Sequence, residues 1–86
     1  MNGYLDILTN TIKHYLFMRG IEHKITSHEN YVVVEFKRYD TFFEIYTRED
    51  SAKVMYSNGS FEIAYDNLKA SELTNEIFNK IKDKIA

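Results

Sequence analysis

The 86-residue chain has no cysteine, no proline and no tryptophan, and only three glycines. Without cysteine there can be no disulfide framework, no thiolate zinc or iron–sulfur site and no thiol nucleophile. The glycines stand apart at Gly3, Gly20 and Gly59, so no glycine-rich loop can cradle a phosphate. No apolar run approaches the roughly 20 residues of a bilayer span, and the first 16 residues lack a basic segment followed by a long apolar core. The sequence therefore predicts a cytoplasmic protein with neither a membrane segment nor a signal peptide. Positive charge is not in excess either. Lys and Arg number 11 against 13 Asp and Glu, a formal net charge of −2, which argues against the basic footprint of a non-specific nucleic-acid binder.

What remains is rich in aromatic and aliphatic side chains. A hydrophobic fraction of 44% is that of a globular chain, and its length suits one domain, residues 1–86. Ile, Lys, Asn, Tyr and Phe supply 37 residues, whereas Gly, Ala, Pro and Arg supply 10. The first group has AT-rich codons and the second GC-rich ones, a bias that fits low-GC bacteria and their phages and plasmids.

Leu5, Leu8, Ile12, Tyr15 and Leu16 follow i, i+3, i+4 spacing, which predicts an amphipathic helix from about Asn2 to Met18, closed by Gly20. Leu73, Ile77, Ile81 and Ile85, widened by Phe78, predict a second helix. Ser71 or Asn67 is its expected N-cap, and Lys80, Lys82 and Lys84 suit its negative end. Between the helices the period changes to two and Val, Tyr, Phe and Thr dominate, as in β-strands.

The register follows from turns and from apolar pairing. Asn58-Gly59, the preferred pair for a type I′ hairpin, sets Tyr56 opposite Phe61 and Val54 opposite Ile63. A turn at Glu49-Asp50 places Ile45 on Val54 and Phe43 on Tyr56. One at Tyr39-Asp40 places Phe36 on Phe43 and Val34 on Ile45. An edge strand at residues 21–26, turning at His28-Glu29, would place Ile25 on Val32 and Ile21 on Phe36. The expectation is a two-layer α+β domain: N-terminal helix, antiparallel meander of four or five strands, C-terminal helix, with both helices on one face of the sheet.

The other sheet face is the candidate site. In this register one row reads Glu35, Glu44, Met55 and Glu62, joined by Glu22 if the edge strand forms. The next row reads Val33, Tyr46, Lys53 and Ala64. Tyr31 and Phe42 flank the rows, and Lys37, Arg48 and Lys53 are available to relieve Glu35 facing Glu44. Aromatic and apolar groups with a charged rim are what protein interfaces use. The region 21–66 carries nine acids and five bases, so an acidic face would suit a partner with a basic cleft.

Other chemistries fit less well. His14, His23 and His28 lack metal-ligand spacing, and the glutamates have no loop to wrap a cation. Glu35 with Glu44 on a flat sheet has no cleft to exclude water, so neither catalysis, a metal nor a cofactor is expected. The element order resembles that of double-stranded RNA-binding domains. Leu68-Lys69-Ala70-Ser71-Glu72, however, carries one lysine where those domains place a cluster.

The function expected from these residues is that of a small non-enzymatic protein-binding protein. The composition fits a phage- or mobile-element-type inhibitor of a bacterial nucleic-acid enzyme, with an anti-CRISPR- or anti-restriction-like strategy. Its partner-binding residues are expected to be Glu22, Tyr31, Glu35, Phe42, Glu44, Tyr46, Met55 and Glu62, in a monomer or homodimer. The alternatives are a nucleic-acid-binding regulator using Lys80, Lys82 and Lys84 or the open-face aromatics, and a homo-oligomeric structural subunit.

Overall fold

A computed structural model describes residues 3–86. Helix α1 (Gly3–Met18) is followed by strands β1 (His23–Ser27), β2 (Val32–Arg38), β3 (Thr41–Thr47), β4 (Ser51–Tyr56) and β5 (Gly59–Ala64), and by helix α2 (Ala70–Ile85). The strands form one antiparallel sheet in the order β1-β2-β3-β4-β5. The expected α+β two-layer architecture is present, with all five strands. Asn2, the expected start of the first helix, lies outside the described residues.

Leu5, Leu8, Ile12 and Leu16 of α1 are buried, as are Leu73, Ile77, Phe78, Ile81 and Ile85 of α2. Both stripes meet the sheet face that carries Val34, Phe36, Phe43, Ile45, Ala52 and Val54 in one core. Tyr15 of α1 stacks on Phe78 of α2 at 3.7 Å between ring centroids, and Phe78 lies 6.3 Å from Phe36 of β2. Both helices thus share one side of the sheet.

Gly20 closes α1 as the sequence predicts. Its φ is +67°, its N–H donates to the Phe17 carbonyl, and the Ile21 N–H reaches back to the Leu16 carbonyl at 2.9 Å. That pair of bonds is a Schellman motif, and the buried contact expected between its flanking residues is supplied by Leu16 and Ile21. The α2 cap differs from expectation. Neither Ser71 nor Asn67 caps it. The N-cap is Lys69, whose backbone N–H donates to the Glu72 carboxylate at 2.9 Å. Glu72, three residues downstream, accepts the N–H of the N-cap residue itself, the reciprocal half of a capping box, and places its charge at the positive end of the helix.

The central register is as predicted. Phe36 pairs with Phe43, Val34 with Ile45, Ile45 with Val54 and Phe43 with Tyr56. The outer strands are each displaced by two residues. The last hairpin turns at Ser57-Asn58 rather than Asn58-Gly59, so Tyr56 pairs with Gly59, Val54 with Phe61 and Ala52 with Ile63. Neither Ser57 nor Asn58 adopts the left-handed backbone that a type I′ turn needs. Gly59 instead accommodates a ring: a Cβ there would stand 3.2 Å from the Tyr56 hydroxyl. The edge strand exists, but His23 pairs with Phe36 and Ile25 with Val34, and Ile21 precedes the strand. A shift of two preserves the face of every side chain while changing its cross-strand neighbour.

Candidate functional site

The helix-free face is built by the residues that alternate with the core set, and the two displaced registers rearrange its rows. One row reads Lys24, Glu35, Glu44, Met55, Ser60, and the next reads Thr26, Val33, Tyr46, Lys53, Glu62. The expected glutamate row is therefore corrected at both ends. Glu22 precedes β1, and its place beside Glu35 is taken by Lys24. Glu62 sits one row over, opposite Lys53, where it accepts a hydrogen bond from Ser51 at 2.7 Å and lies 3.7 Å from Arg48. With Lys24, Lys37, Lys53 and Arg48 among Glu35, Glu44 and Glu62, the face is of mixed charge rather than acidic.

Glu35 and Glu44 do face each other. Glu35 is exposed and Glu44 half-buried, and Tyr46 donates its hydroxyl proton to Glu44 Oε2 at 3.2 Å. Burial first, and the neighbouring Glu44 carboxylate second, push the Tyr46 phenol above its ordinary value, so it stays protonated and remains a donor. Tyr31 stacks on His28 at 4.4 Å and approaches Tyr46 at 6.2 Å. Together with Asn30, Arg48, Glu49 and Asp50 the two tyrosines line an open recess. Phe42 is 65% exposed and Met55 39%, and the Lys37 ammonium lies 5.2 Å from the Phe42 ring. Val33, expected to add apolar surface, is only 6% exposed, being central in the sheet and flanked by Thr26 and Tyr46.

Charge is instead sorted between the two ends of the strands and helices. The start of α1, the β3–β4 turn, the end of β5 and the start of α2 meet at one end. There Tyr4 packs on Tyr65 at 4.9 Å and donates to the Leu68 carbonyl, and Tyr65 donates to the Arg48 carbonyl at 2.6 Å. Asp6, Glu29, Glu49, Asp50, Asp66 and Glu72 belong to this end, against Arg48 and Lys69. Burial, with Tyr4 alongside, raises the Tyr65 phenol strongly; burial and Glu72 raise that of Tyr4. At the opposite end α2 finishes against the β2–β3 turn, where Arg38 Nε donates to the Ile85 carbonyl at 3.0 Å. Arg19, Lys37, Arg38, Lys80, Lys82 and Lys84 lie toward this end, against Glu22, Asp40 and Asp83.

The physical cause is visible in the topology. Five strands separate the helices, so α1 and α2 run in the same direction and present both N-termini to the acidic end and both C-termini to the basic one. Carboxylates complement the positive end of a helix dipole and cations the negative end. The excess of acids over bases in region 21–66 is thus part of an opposition between two ends of the molecule.

Among the described residues no three histidine or carboxylate side chains come together to hold a metal ion, and no helix is long and apolar enough to cross a membrane. Sequence reasoning also missed one surface. Ile7, Phe17 and Met18 of α1 are exposed, at 59%, 72% and 64%. Their signal was present as apolar residues outside the α1 core stripe. Comparison with known protein families, with curated proteins and with solved structures finds no match.

Proposed function

We propose that the protein is a non-enzymatic binder of another protein and works through the helix-free face of its sheet. The observation that carries this reading is Phe42, well exposed on that face, with Met55 in the adjoining row beside the facing pair Glu35 and Glu44. An apolar anchor ringed by charges of both signs suits a partner with an apolar socket and a polar rim. Tyr46 and Tyr31 extend the surface toward the acidic end, where Glu49 and Asp50 adjoin the same recess. The inhibitor reading, in which carboxylates oppose a basic cleft of a bacterial nucleic-acid enzyme, now draws its support from that end and from the AT-rich residue usage. A continuous glutamate row no longer contributes to it.

The test is affinity capture from a low-GC bacterial lysate, with mass spectrometry naming the retained protein. The reading expects one dominant protein to be captured by the native chain and lost with Phe42→Asp. It expects a smaller loss with the pair Glu35→Lys and Glu44→Lys. All three side chains are exposed or half-buried, so circular dichroism should be unchanged. Capture that survives all three substitutions overturns the assignment of this face. Saturable binding to DNA or RNA with a steep salt dependence would replace it with a nucleic-acid function.

A further inference from the structure

The outer side of α1 is the least explained surface of the molecule. Opposite its buried stripe the helix presents Gly3, Ile7, Asn10, His14 and Phe17 at helical spacing, with Met18 alongside, all exposed. This stripe carries no carboxylate, lysine or arginine. Asp6 and Lys13 stand along one flank and Arg19 follows the last turn. Solvated helix faces are ordinarily charged, as that of α2 is with Glu72, Glu76, Lys82 and Asp83. On α1, Ile7 near the start and Phe17 with Met18 near the end hold large apolar side chains in water, spaced by Asn10 and His14. Apolar surface left exposed between polar rims is what a contact surface uses.

We propose that this face of α1 pairs with the same face of a second copy of the chain, the two α1 helices lying antiparallel about a two-fold axis near Asn10 and Thr11. The axial sorting of charge selects that occupant and that direction. Antiparallel pairing sets the acidic end of each copy beside the basic end of the other, whereas parallel pairing superimposes like on like. It opposes the helix dipoles favourably as well. Within the pair, Ile7 of one copy falls within about one turn of Phe17 of the other. Asp6 approaches Lys13 across the flank, as residues do on the same flank of an antiparallel helix pair. The contact is isologous, so each copy supplies the same patch and the assembly closes at two.

A stripe along a helix about 24 Å long buries less than the roughly 1,200–2,000 Å² of a stable interface. The dimer is therefore a weak one, with a dissociation constant above about 1 µM, so that it forms only at higher protein concentrations. The helix-free faces point away from the contact, so the dimer displays two of them. That bivalence would raise avidity for a repeated or symmetric partner. The proposal itself does not depend on the function assigned to the sheet face.

Sedimentation equilibrium over about 10 µM to about 1 mM protein tests it by mass action. The native chain should pass from the 10.2 kDa monomer to twice that mass, and Phe17→Glu with Ile7→Glu should stay monomeric with an unchanged circular dichroism spectrum. Because the chain lacks cysteine, single cysteines report direction. Asn10→Cys, close to the axis, should cross-link on oxidation, and Met18→Cys, about 20 Å from its mate by helical rise, should not. A native chain that stays monomeric throughout overturns the proposal. So does a dimer that survives the α1 substitutions but is lost with Phe42→Glu, and so does efficient cross-linking through Met18→Cys.

Discussion

Helices α1 and α2 are the same length, run the same way and bury similar stripes against one sheet face, yet their outer surfaces are opposites. Outward from the core, α2 shows Glu72, Glu76, Asn79 and Asp83, whereas α1 shows Ile7, Asn10, His14 and Phe17. The inner stripes are constrained by the fold, because each must exclude water from a shared core. The outer faces are not, and any soluble residue would serve there. The difference is what the proposed pairing of α1 accounts for: the outer face of α2 is charged as a solvated face is, and that of α1 would meet a second copy.

The largest expected effect tests the equality of the inner faces. Ile12 and Ile77 are both fully buried, one on each helix, and both belong to the single core. Truncating a buried isoleucine to alanine costs about 2–5 kcal/mol, the lost transfer energy plus that of the cavity. Ile12→Ala and Ile77→Ala should lower the urea midpoint by comparable amounts without changing the slope. A loss confined to Ile12→Ala would make α2 an appendage rather than half of the helical layer, and the comparison of equals would fail.

A smaller effect separates the ways in which the two helices end. Gly20 closes α1 from within its own sequence. Gly20→Ala would find nothing within 4 Å of its new Cβ, so only the left-handed backbone at φ +67° is at stake, about 1–2 kcal/mol. α2 ends on a local bond from the Ala86 N–H to the Lys82 carbonyl and is held from a distance as well: the Arg38 guanidinium donates to the Ile85 carbonyl, and the Tyr39 hydroxyl donates to the backbone oxygen of Ala86. Arg38→Met should cost about 1 kcal/mol and accelerate amide exchange in the last turn of α2 alone. Gly20→Ala should have the matching effect at the end of α1.

This contrast also explains what could be read from the residues. Local signals were legible: the helical periods, Gly20, and the central hairpins, whose apolar pairs tolerate no one-residue slip. Signals that depend on tertiary contact were not. Tyr39 holds a left-handed φ of +57° at a turn with no glycine, where its hydroxyl contact with Ala86 and the Arg38 guanidinium 4.8 Å from its ring help to fix it. Gly59 looked like a turn residue but is a strand residue that makes room for the Tyr56 ring. Because both register errors were shifts of two, the composition of the sheet faces was legible while the rows across them were not. That is why Phe42, Glu35, Glu44 and Met55 survive as neighbours and the longer glutamate row does not.

The smallest effect concerns the start of α2, where residue type points to one group and geometry to another. Ser71 is a favoured N-cap residue but lies inside the helix and is exposed. Ser71→Ala should therefore leave stability within about 0.5 kcal/mol, or raise it slightly because alanine is the better helix former. Glu72 accepts the Lys69 N–H and carries its charge in the first turn, so Glu72→Ala should cost about 0.5–1 kcal/mol through the bond and the helix dipole together. Glu72→Gln keeps a side-chain acceptor and loses only the charge. Its cost should fall between the other two in thermal melts at low ionic strength, and should shrink as salt screens the dipole. The reverse order, with Ser71→Ala the more damaging, would move the N-cap to Ser71 and start α2 two residues later.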